Sequence, residues 1–101
     1  MLNIYKDRVR IQVKSSTLGA TGMTEVWKPL QTRYAMVIPL DAKARAVYQQ
    51  MQSYVTHRVV LNGSVSLNLG DYRFLWGDKI LEPVEPPQEL GNTTVIMVKE
   101  D

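Results

Sequence analysis

The residues with the greatest potential for chemistry are His57, the only histidine, and its neighbour Arg58. A histidine can act as an acid or base near neutral pH, and an arginine can bind phosphate. The segment that contains them, Tyr54–Leu61, has the composition of a β-strand. Strand alternation places His57 on the same face as the apolar residues Val59 and Leu61 and turns Arg58 the other way. The pattern therefore predicts a packed, structural histidine.

The remaining residues form no catalytic or metal-binding motif. The chain has no cysteine and one histidine, so a nucleophile paired with a base is not indicated. The carboxylates of the second half lack ligand spacing; these are Asp71, Asp78, Glu82 and Glu85. There is also no glycine-rich phosphate-binding motif. The sequence predicts a protein that is not an enzyme and uses no cofactor or metal.

Three aromatic residues, Tyr72, Phe74 and Trp76, fall at every second position of one predicted strand. Such a face could stack the bases of a single-stranded nucleic acid, as OB-type modules do. The structural alternative, which the sequence favours, is the core of a β-barrel. Only Arg73 is basic nearby, whereas a stacking platform needs a positive groove. A monomeric OB-like or SH3-like binding module therefore remains the alternative function.

Length and charge limit the class of protein. A chain of 101 residues is expected to form a single domain over 1–101. No segment approaches the roughly 18–20 apolar residues of a membrane span, so no membrane contact is expected. Residues 1–60 carry nine Lys/Arg and three Asp/Glu, and residues 61–101 carry three and seven, giving charges of +6 and −4. Such a division could join a positive edge of one copy to a negative edge of the next.

The first half contains two alternating segments and one helix. Arg8–Lys14 reads as a half-buried strand with a basic outer face. A strand resumes near Glu25, Pro29 is expected at an edge or bulge, and the last part of this strand carries Tyr34, Met36, Ile38 and Leu40 on one face. Asp41 is an N-cap for a helix over 41–52, which is expected to pack on the sheet through Ala44, Val47, Tyr48 and Met51.

The second half reads as short antiparallel strands. Asn62–Gly63 predicts a hairpin into the alternating segment Ser64–Leu69, and Gly77–Asp78 predicts another between Tyr72–Trp76 and Lys79–Leu81. Glu82–Asn92 is an acidic, proline-stiffened connection, and the apolar strand in 93–99 is expected to be buried on both sides. The fold class is mainly β, a small antiparallel β-barrel or sandwich with one short helix.

Between the first two strands lies a segment of ten residues without any charge. It consists of Ser15, Ser16, Thr17, Leu18, Gly19, Ala20, Thr21, Gly22, Met23 and Thr24. Its small and glycine residues predict a long flexible loop. Because it has no Lys or Arg to pair with phosphates, such a loop could line a passage for DNA without gripping it.

The order of these pieces resembles the head-tail joining proteins of tailed bacteriophages, the head-closure or stopper family. The shared features are a basic first strand, a glycine-containing loop, a Trp-bearing strand, a short helix, VTHRV and the hairpin GDYRFLWGDKI, followed by a final apolar strand. The resemblance covers nearly the whole chain. The run after THR and the acidic, Pro-rich segment Glu82–Gln88 depart from the family pattern.

The resemblance implies a ring of about a dozen copies at the portal or adaptor protein, docked after DNA packaging. Such a ring retains the DNA, encloses it without sequence specificity and offers a surface to a tail protein. The uncharged loop would face the channel. The protein would lie in the neck of the virion, and in the host cytoplasm during assembly. Another neck component, such as a tail-completion protein, is a related alternative.

On this interpretation the remaining candidate residues are structural. The expected subunit or partner interface comprises Arg8, Arg10, Lys14, Glu82, Glu85, Val95, Ile96, Met97 and Val98. The expected core includes Trp27, Val47, Tyr48, Met51, His57, Phe74 and Trp76.

Overall fold

A computed structural model describes residues 4–19, 22–50 and 54–101. These residues form seven strands and one helix: β1 Asp7–Gly19, β2 Gly22–Pro39, α1 Ala42–Gln50, β3 His57–Asn62, β4 Tyr72–Trp76, β5 Lys79–Pro83, β6 Gln88–Leu90 and β7 Thr93–Glu100. The prediction of a mainly β fold with one short helix is confirmed.

The strands form one antiparallel sheet that closes on itself. The sheet order is β3-β2-β1-β4-β5-β7-β6, and β3 also pairs with β7. Six strands therefore form a ring in the order β1, β2, β3, β7, β5 and β4, while β6 pairs with β7 beside it. Closure supplies both edges of most strands with hydrogen-bond partners, which removes the sites where sheets aggregate.

Alternating side chains from every strand of the ring fill its interior. The core cluster consists of Val9, Ile11, Ala35, Val37, Val59, Leu61, Val65, Tyr72, Phe74, Leu81, Ile96 and Val98. Val9 and Ile11 are fully buried, as the alternation of Arg8–Lys14 predicts. The interior is thus filled by side chains and leaves the outer surface and the strand ends for function.

The predicted flexible loop over 15–24 is wrong for most of its length. Residues 15–19 belong to β1 and residues 22–24 to β2, paired in register from Ser15 with Val26 to Gly19 with Gly22. Ala20 and Thr21 lie outside the described residues. Thr occurs readily in β-strands, and Ser and Thr also occur in loops. The uncharged composition of this segment therefore does not distinguish a solvent-exposed hairpin from a loop. Gly22 has a φ of 115°, which favours glycine there.

The β2 strand buries the opposite face from the one that its larger residues indicate. Tyr34 is 61% exposed and Ile38 is 36% exposed, whereas Ala35 and Val37 point into the core. Both faces are apolar here, so periodicity alone could not select the inner one. Ile11 pairs with Gln31 and the next residue, Gln12, pairs with Pro29, so the register shifts by one residue there. This irregularity lies next to Pro29, as predicted for that proline.

The helix spans Ala42–Gln50 in the described residues and does not pack as an amphipathic core helix. Asp41 is the N-cap, since its Oδ1 accepts a hydrogen bond from the Ala44 N–H at 2.7 Å. None of the helical residues is buried. Val47 is 52% exposed and Tyr48 is half-buried, so neither is the core residue expected, and Met51 lies outside the described residues. The ring already closes a core without the helix.

The predicted hairpin at Asn62–Gly63 is also wrong, since β3 pairs with β2 and β7 instead. Arg33 donates hydrogen bonds to the carbonyls of Asn62 and Ser64 and holds the chain as it leaves the sheet. The alternating segment that follows is no strand. Val65 nevertheless points into the core. The alternating pattern therefore indicates which side chain is buried, although the segment pairs with no strand.

Two tight turns complete the second half. β4 and β5 pair from Phe74 to Leu81 around Gly77–Asp78, as predicted, and Gly77 has a φ of 63°. The connection over 82–92 contains a short strand that the prediction missed: Leu90 pairs with Thr93 across a second two-residue turn. The acidic connection is therefore fastened to β7 at its end.

Candidate functional site

The paired ends of β1 and β2 extend beyond the closed ring as a two-stranded ribbon, which we call the distal hairpin (residues 15–19 and 22–24). β4 pairs with β1 only as far as Val13, and the Lys14 N–H makes the last bond, to the Asp71 carbonyl at 2.8 Å. Beyond that point β1 pairs only with β2. The backbone of the distal hairpin therefore has open edges on both sides.

The distal hairpin carries apolar side chains into solvent. Leu18 and Met23 face each other across the two strands and are 80% and 68% exposed. Val26, two residues beyond the hairpin on β2, is 42% exposed on the other face. An uncharged ribbon with exposed apolar side chains and open edges is an unusual feature for a protein surface, because such edges invite pairing with another chain. This feature is best explained by a partner in an assembly.

A cluster of aromatic and cationic side chains fixes the base of the distal hairpin. The guanidinium of Arg73 lies 4.3 Å from the centre of the Trp27 ring, and the Lys14 ammonium lies 5.3 Å from it. Arg73 Nε donates to Gln12 Oε1 at 2.8 Å, and Lys14 Nζ pairs with Glu25 at 3.5 Å. These contacts tie the hairpin to β4 and set its direction.

Trp27 is thus a half-buried residue of the outer surface, and its assignment to the core was wrong. Sequence reasoning missed this cluster because it depends on the register that sets Lys14 opposite Trp27. That register follows from the pairing of residues 15–19 with 22–26. The signal in the sequence is the position of Trp27, two residues before Pro29. Proline favours an edge strand, where a large side chain is less often part of the core.

His57 is buried, as predicted, with 7% of its surface exposed. Its ring meets Trp76 edge-on at 5.8 Å between centres. Nδ1 lies 2.8 Å from the Thr56 hydroxyl, whose oxygen also accepts the Glu100 N–H at 2.7 Å. A neutral ring satisfies this arrangement by accepting the hydroxyl proton at Nδ1. Burial lowers the pKa of His57, an effect that Lys79 and Arg45 reinforce and Glu100 opposes.

We expect the lowered pKa of His57 to make the fold less stable in mild acid. The unfolded chain binds a proton near the ordinary pKa of 6.5, while the folded chain binds it only at lower pH. The stabilisation from the neutral ring is therefore complete above about pH 6.5 and is lost as pH falls through the folded pKa. Urea unfolding across this range measures it.

The matched variant is His57→Asn, which keeps a polar side chain without the titration. It should be less stable than the wild type at about pH 7.5, and the difference should shrink as the pH falls below about 6.5. A constant difference at every pH would show that the protonation of His57 is not coupled to folding.

The aromatic strand face points into the core and is not a stacking platform. Tyr72 is 2% exposed and Phe74 is fully buried, with their rings edge-on at 5.6 Å. Burial raises the pKa of Tyr72 to about 12. Trp76 is half-buried and packs against the core cluster. The aromatic OB-type alternative is therefore wrong, because base stacking needs exposed ring faces.

The opposite charges of the two sequence halves lie on opposite sides of the ring. β1 and β7 are three strands apart in either direction around it. The outer face of β1 carries the exposed Arg8 and Arg10, whereas five of the seven acidic residues of the second half lie in 82–101, on β5, β6 and β7 or beside them. The other two, Asp71 and Asp78, lie at the two ends of β4. The molecule thus has a basic wall around Arg8 and Arg10 on β1 and an acidic wall around Glu85 and Glu89 beside β7.

Two of the predicted interface charges are already paired within the chain. Glu82 lies 3.6 Å from Lys99, and Lys14 lies 3.5 Å from Glu25. A hydrogen bond shared with Asp101 raises the pKa of Glu82, with burial adding to the effect and Lys99 opposing it. Arg8, Arg10 and Glu85 form no ion pair within the described part of the chain. These three are the charges that remain available to a partner.

The apolar run of β7 is divided between the inside and the outside. Ile96 and Val98 are fully buried in the core, which removes them from any surface. Val95 and Met97 are half-buried on the outer face, where Val95 pairs with Val60 and Met97 with Arg58. Of the four predicted interface residues of this strand, only Val95 and Met97 lie where a partner could reach them.

Neither a metal cluster nor a membrane helix occurs in the described residues. No group of three or more His, Asp or Glu side chains there could hold a metal ion. No helix among those residues is long and apolar enough to cross a membrane. The arrangement offers binding surfaces, namely an uncharged ribbon and two oppositely charged walls, and is suited to assembly.

A small closed sheet with a projecting ribbon and charged walls offers surfaces for contact with other proteins. Comparison with protein families gives a match to the phage head completion proteins over residues 3–101. The chain therefore belongs to the phage head completion protein family, which confirms the resemblance to head-tail joining proteins. Membership gives it a structural role in closing a phage head, as a component of the virion that contacts other head or tail proteins.

The fold also occurs in a solved structure. The solution structure of protein SF1141 from Shigella flexneri 2a superposes with a TM-score of 0.79 at 21% sequence identity, covering 98% of this chain and 96% of that one. At this identity the likeness concerns the fold alone. A comparison with curated proteins gives no match.

Proposed function

We propose that this protein docks as a ring of about a dozen copies on the portal or adaptor of a DNA-filled head, where it retains the genome and presents a surface to the tail. The observation that carries the proposal is the distal hairpin. A ribbon that is uncharged, apolar and open at both edges has no role in the stability of an isolated copy. In a ring of copies, its open edges lie next to the hairpins of the adjacent copies.

Within such a ring the distal hairpins point toward the channel axis. Residues 15–19 and 22–24 contain no Lys or Arg, so they displace no counterions from DNA and do not bind it tightly. Their open edges pair with the hairpins of adjacent copies by strand addition, which narrows the channel. The exposed pair Leu18 and Met23 then packs against the equivalent residues of neighbours.

The charged walls support a ring of copies related by rotation. A basic wall opposite an acidic wall gives a head-to-tail contact that repeats from copy to copy and closes when the rotation allows. Duplex DNA occupies the channel without sequence specificity. The chemistry of the proposal is mechanical and electrostatic, without a catalytic step.

The proposal is tested by electron microscopy of DNA-filled heads prepared without this protein and then supplied with it. We expect a new ring at the portal vertex and DNA that becomes resistant to added nuclease. Isolated tails serve as the comparison. Binding to tails and not to heads would assign the protein to tail completion and contradict the proposal.

A further inference from the structure

A basic groove lies on the outer surface where β1 meets β4. Arg8, Arg10, Leu75 and Gly77 line it, and its volume is about 390 Å³. Arg10 and Leu75 face each other across the two strands. Both arginines are exposed, and neither forms an ion pair within the described residues. The groove therefore combines two available guanidinium groups with an apolar floor.

An acidic segment with complementary properties runs from the end of β5 to the start of β6. Glu82–Gln88 has the sequence EPVEPPQ, in which three prolines restrict the backbone to extended conformations. The Val84 N–H donates to the Met97 carbonyl at 2.9 Å and fastens the segment to β7. Glu85 stands among these prolines and has no ion pair in the described part of the chain. A pre-ordered segment loses little entropy on binding.

Within one copy the acidic segment approaches β1 at Lys14, with which Glu82 and Pro83 line a cavity, and not at the groove of Arg8 and Arg10. β4 and β5 separate β1 from the connection that follows Pro83, and neighbouring strands lie about 4.8 Å apart. Each is therefore available to another molecule.

We propose that the segment Glu82–Gln88 of one copy seats in the Arg8–Arg10 groove of the adjacent copy. This inference rests on the proposed ring and identifies its subunit contact. The Glu85 carboxylate accepts hydrogen bonds from a guanidinium, which binds carboxylates in a two-pronged geometry. The flanking prolines cover Leu75. Because groove and segment lie on opposite walls, the same contact repeats around a ring.

Charge reversal tests the contact on DNA-filled heads prepared without the protein. Arg10→Glu and Glu85→Arg should each reduce the copies bound per head by about tenfold, since each sets like charges together. The double variant, Arg10→Glu with Glu85→Arg, should restore binding. An equal mixture of the two single variants should do so as well, because alternating copies then present opposite charges. Lys28→Glu, an equal change at an exposed β2 residue, is the matched control.

The outcomes distinguish a contact between copies from binding of the groove to DNA or to a different protein. Loss of binding with Arg10→Glu alone, without rescue by Glu85→Arg, would show that the groove binds one of those other molecules and would overturn the inference. Normal binding by both single variants would overturn it too. Failure of the wild-type protein to bind heads would instead contradict the proposed function.

Cysteine cross-linking provides a second test that does not depend on altered charge. The chain has no cysteine, so Arg10→Cys combined with Glu85→Cys introduces the only two thiols. On docked heads, oxidation should give a ladder of linked copies in a non-reducing gel, because each disulfide joins two adjacent copies. Arg10→Cys paired with Lys43→Cys on the exposed face of α1 is the control. Equal ladders from both pairs, or none from the first, would contradict the contact.

Discussion

Heads closed with a shortened distal hairpin are expected to lose their DNA. The sharpest variant replaces residues 17–24 with Asn-Gly between Ser16 and Glu25, which face each other in the register. Two residues of this type form a compact hairpin turn, so the ribbon ends early without strain. Because the large side chains removed, Leu18 and Met23, are exposed, we expect the free energy of unfolding to change by no more than about 0.5 kcal/mol.

The measurement is nuclease resistance of the packaged DNA after docking. The shortened protein should bind heads as the wild type does, yet leave the DNA as sensitive as in heads without the protein. The control keeps the length of the hairpin and replaces Leu18 and Met23 with Thr, which separates ribbon length from apolar contact. Full retention of DNA by the shortened variant would remove the hairpin from the channel function.

The sequence predicted the strands with one dominant alternation and the turns with a fixed chemistry. Arg8–Lys14 has a single apolar face, Asp41 caps the helix by local geometry, and Gly77–Asp78 imposes a hairpin. Each of these depends on residues close in sequence. The inward orientation of His57 followed from the same alternation, because its neighbours Val59 and Leu61 are apolar.

The errors came from places where a distant segment decides the structure. The Asn62–Gly63 pair has strong hairpin chemistry, but β7 occupies the edge of β3 and Arg33 takes the carbonyls on either side of the turn. The helix has an amphipathic pattern, yet none of its residues is buried, because the closed sheet encloses the core without it. Ring closure is a property of the whole chain, so local patterns do not report it.

The sequence indicates the position of the candidate site but not its conformation. The lack of charge in 15–24 is visible in the sequence, but it does not indicate that residues 15–19 and 22–24 pair as strands. The charge division between the halves was visible in the sequence as well. Only the topology shows that it becomes two opposite walls, with β1 and β7 on opposite sides of the ring. The structure also shows that Lys14 and Glu82 already have partners.

Truncation of Phe74 should cause the largest loss of stability of any change considered. Phe74 is fully buried and lies opposite Ile11 on β1 and Leu81 on β5, both also fully buried. Phe74→Ala removes a ring at the point where three strands of the closed sheet meet. Such a deletion costs about 3–5 kcal/mol, a large part of the roughly 5–15 kcal/mol by which a domain is stable.

Thermal unfolding followed by circular dichroism measures this loss, with Tyr34→Ala as the matched control. Tyr34 is an aromatic residue of the outer face and 61% exposed, so its truncation should cost less than about 1 kcal/mol. The comparison also separates a core face from a binding face. If Phe74→Ala melted like the wild type while losing the quenching of tryptophan fluorescence by a single-stranded oligonucleotide, the aromatic face would bind bases and the packed core would be wrong. A cooperative fall in stability with Phe74→Ala alone instead places that face in the core of the closed sheet. The outer walls and the distal hairpin are then the surfaces through which the protein acts.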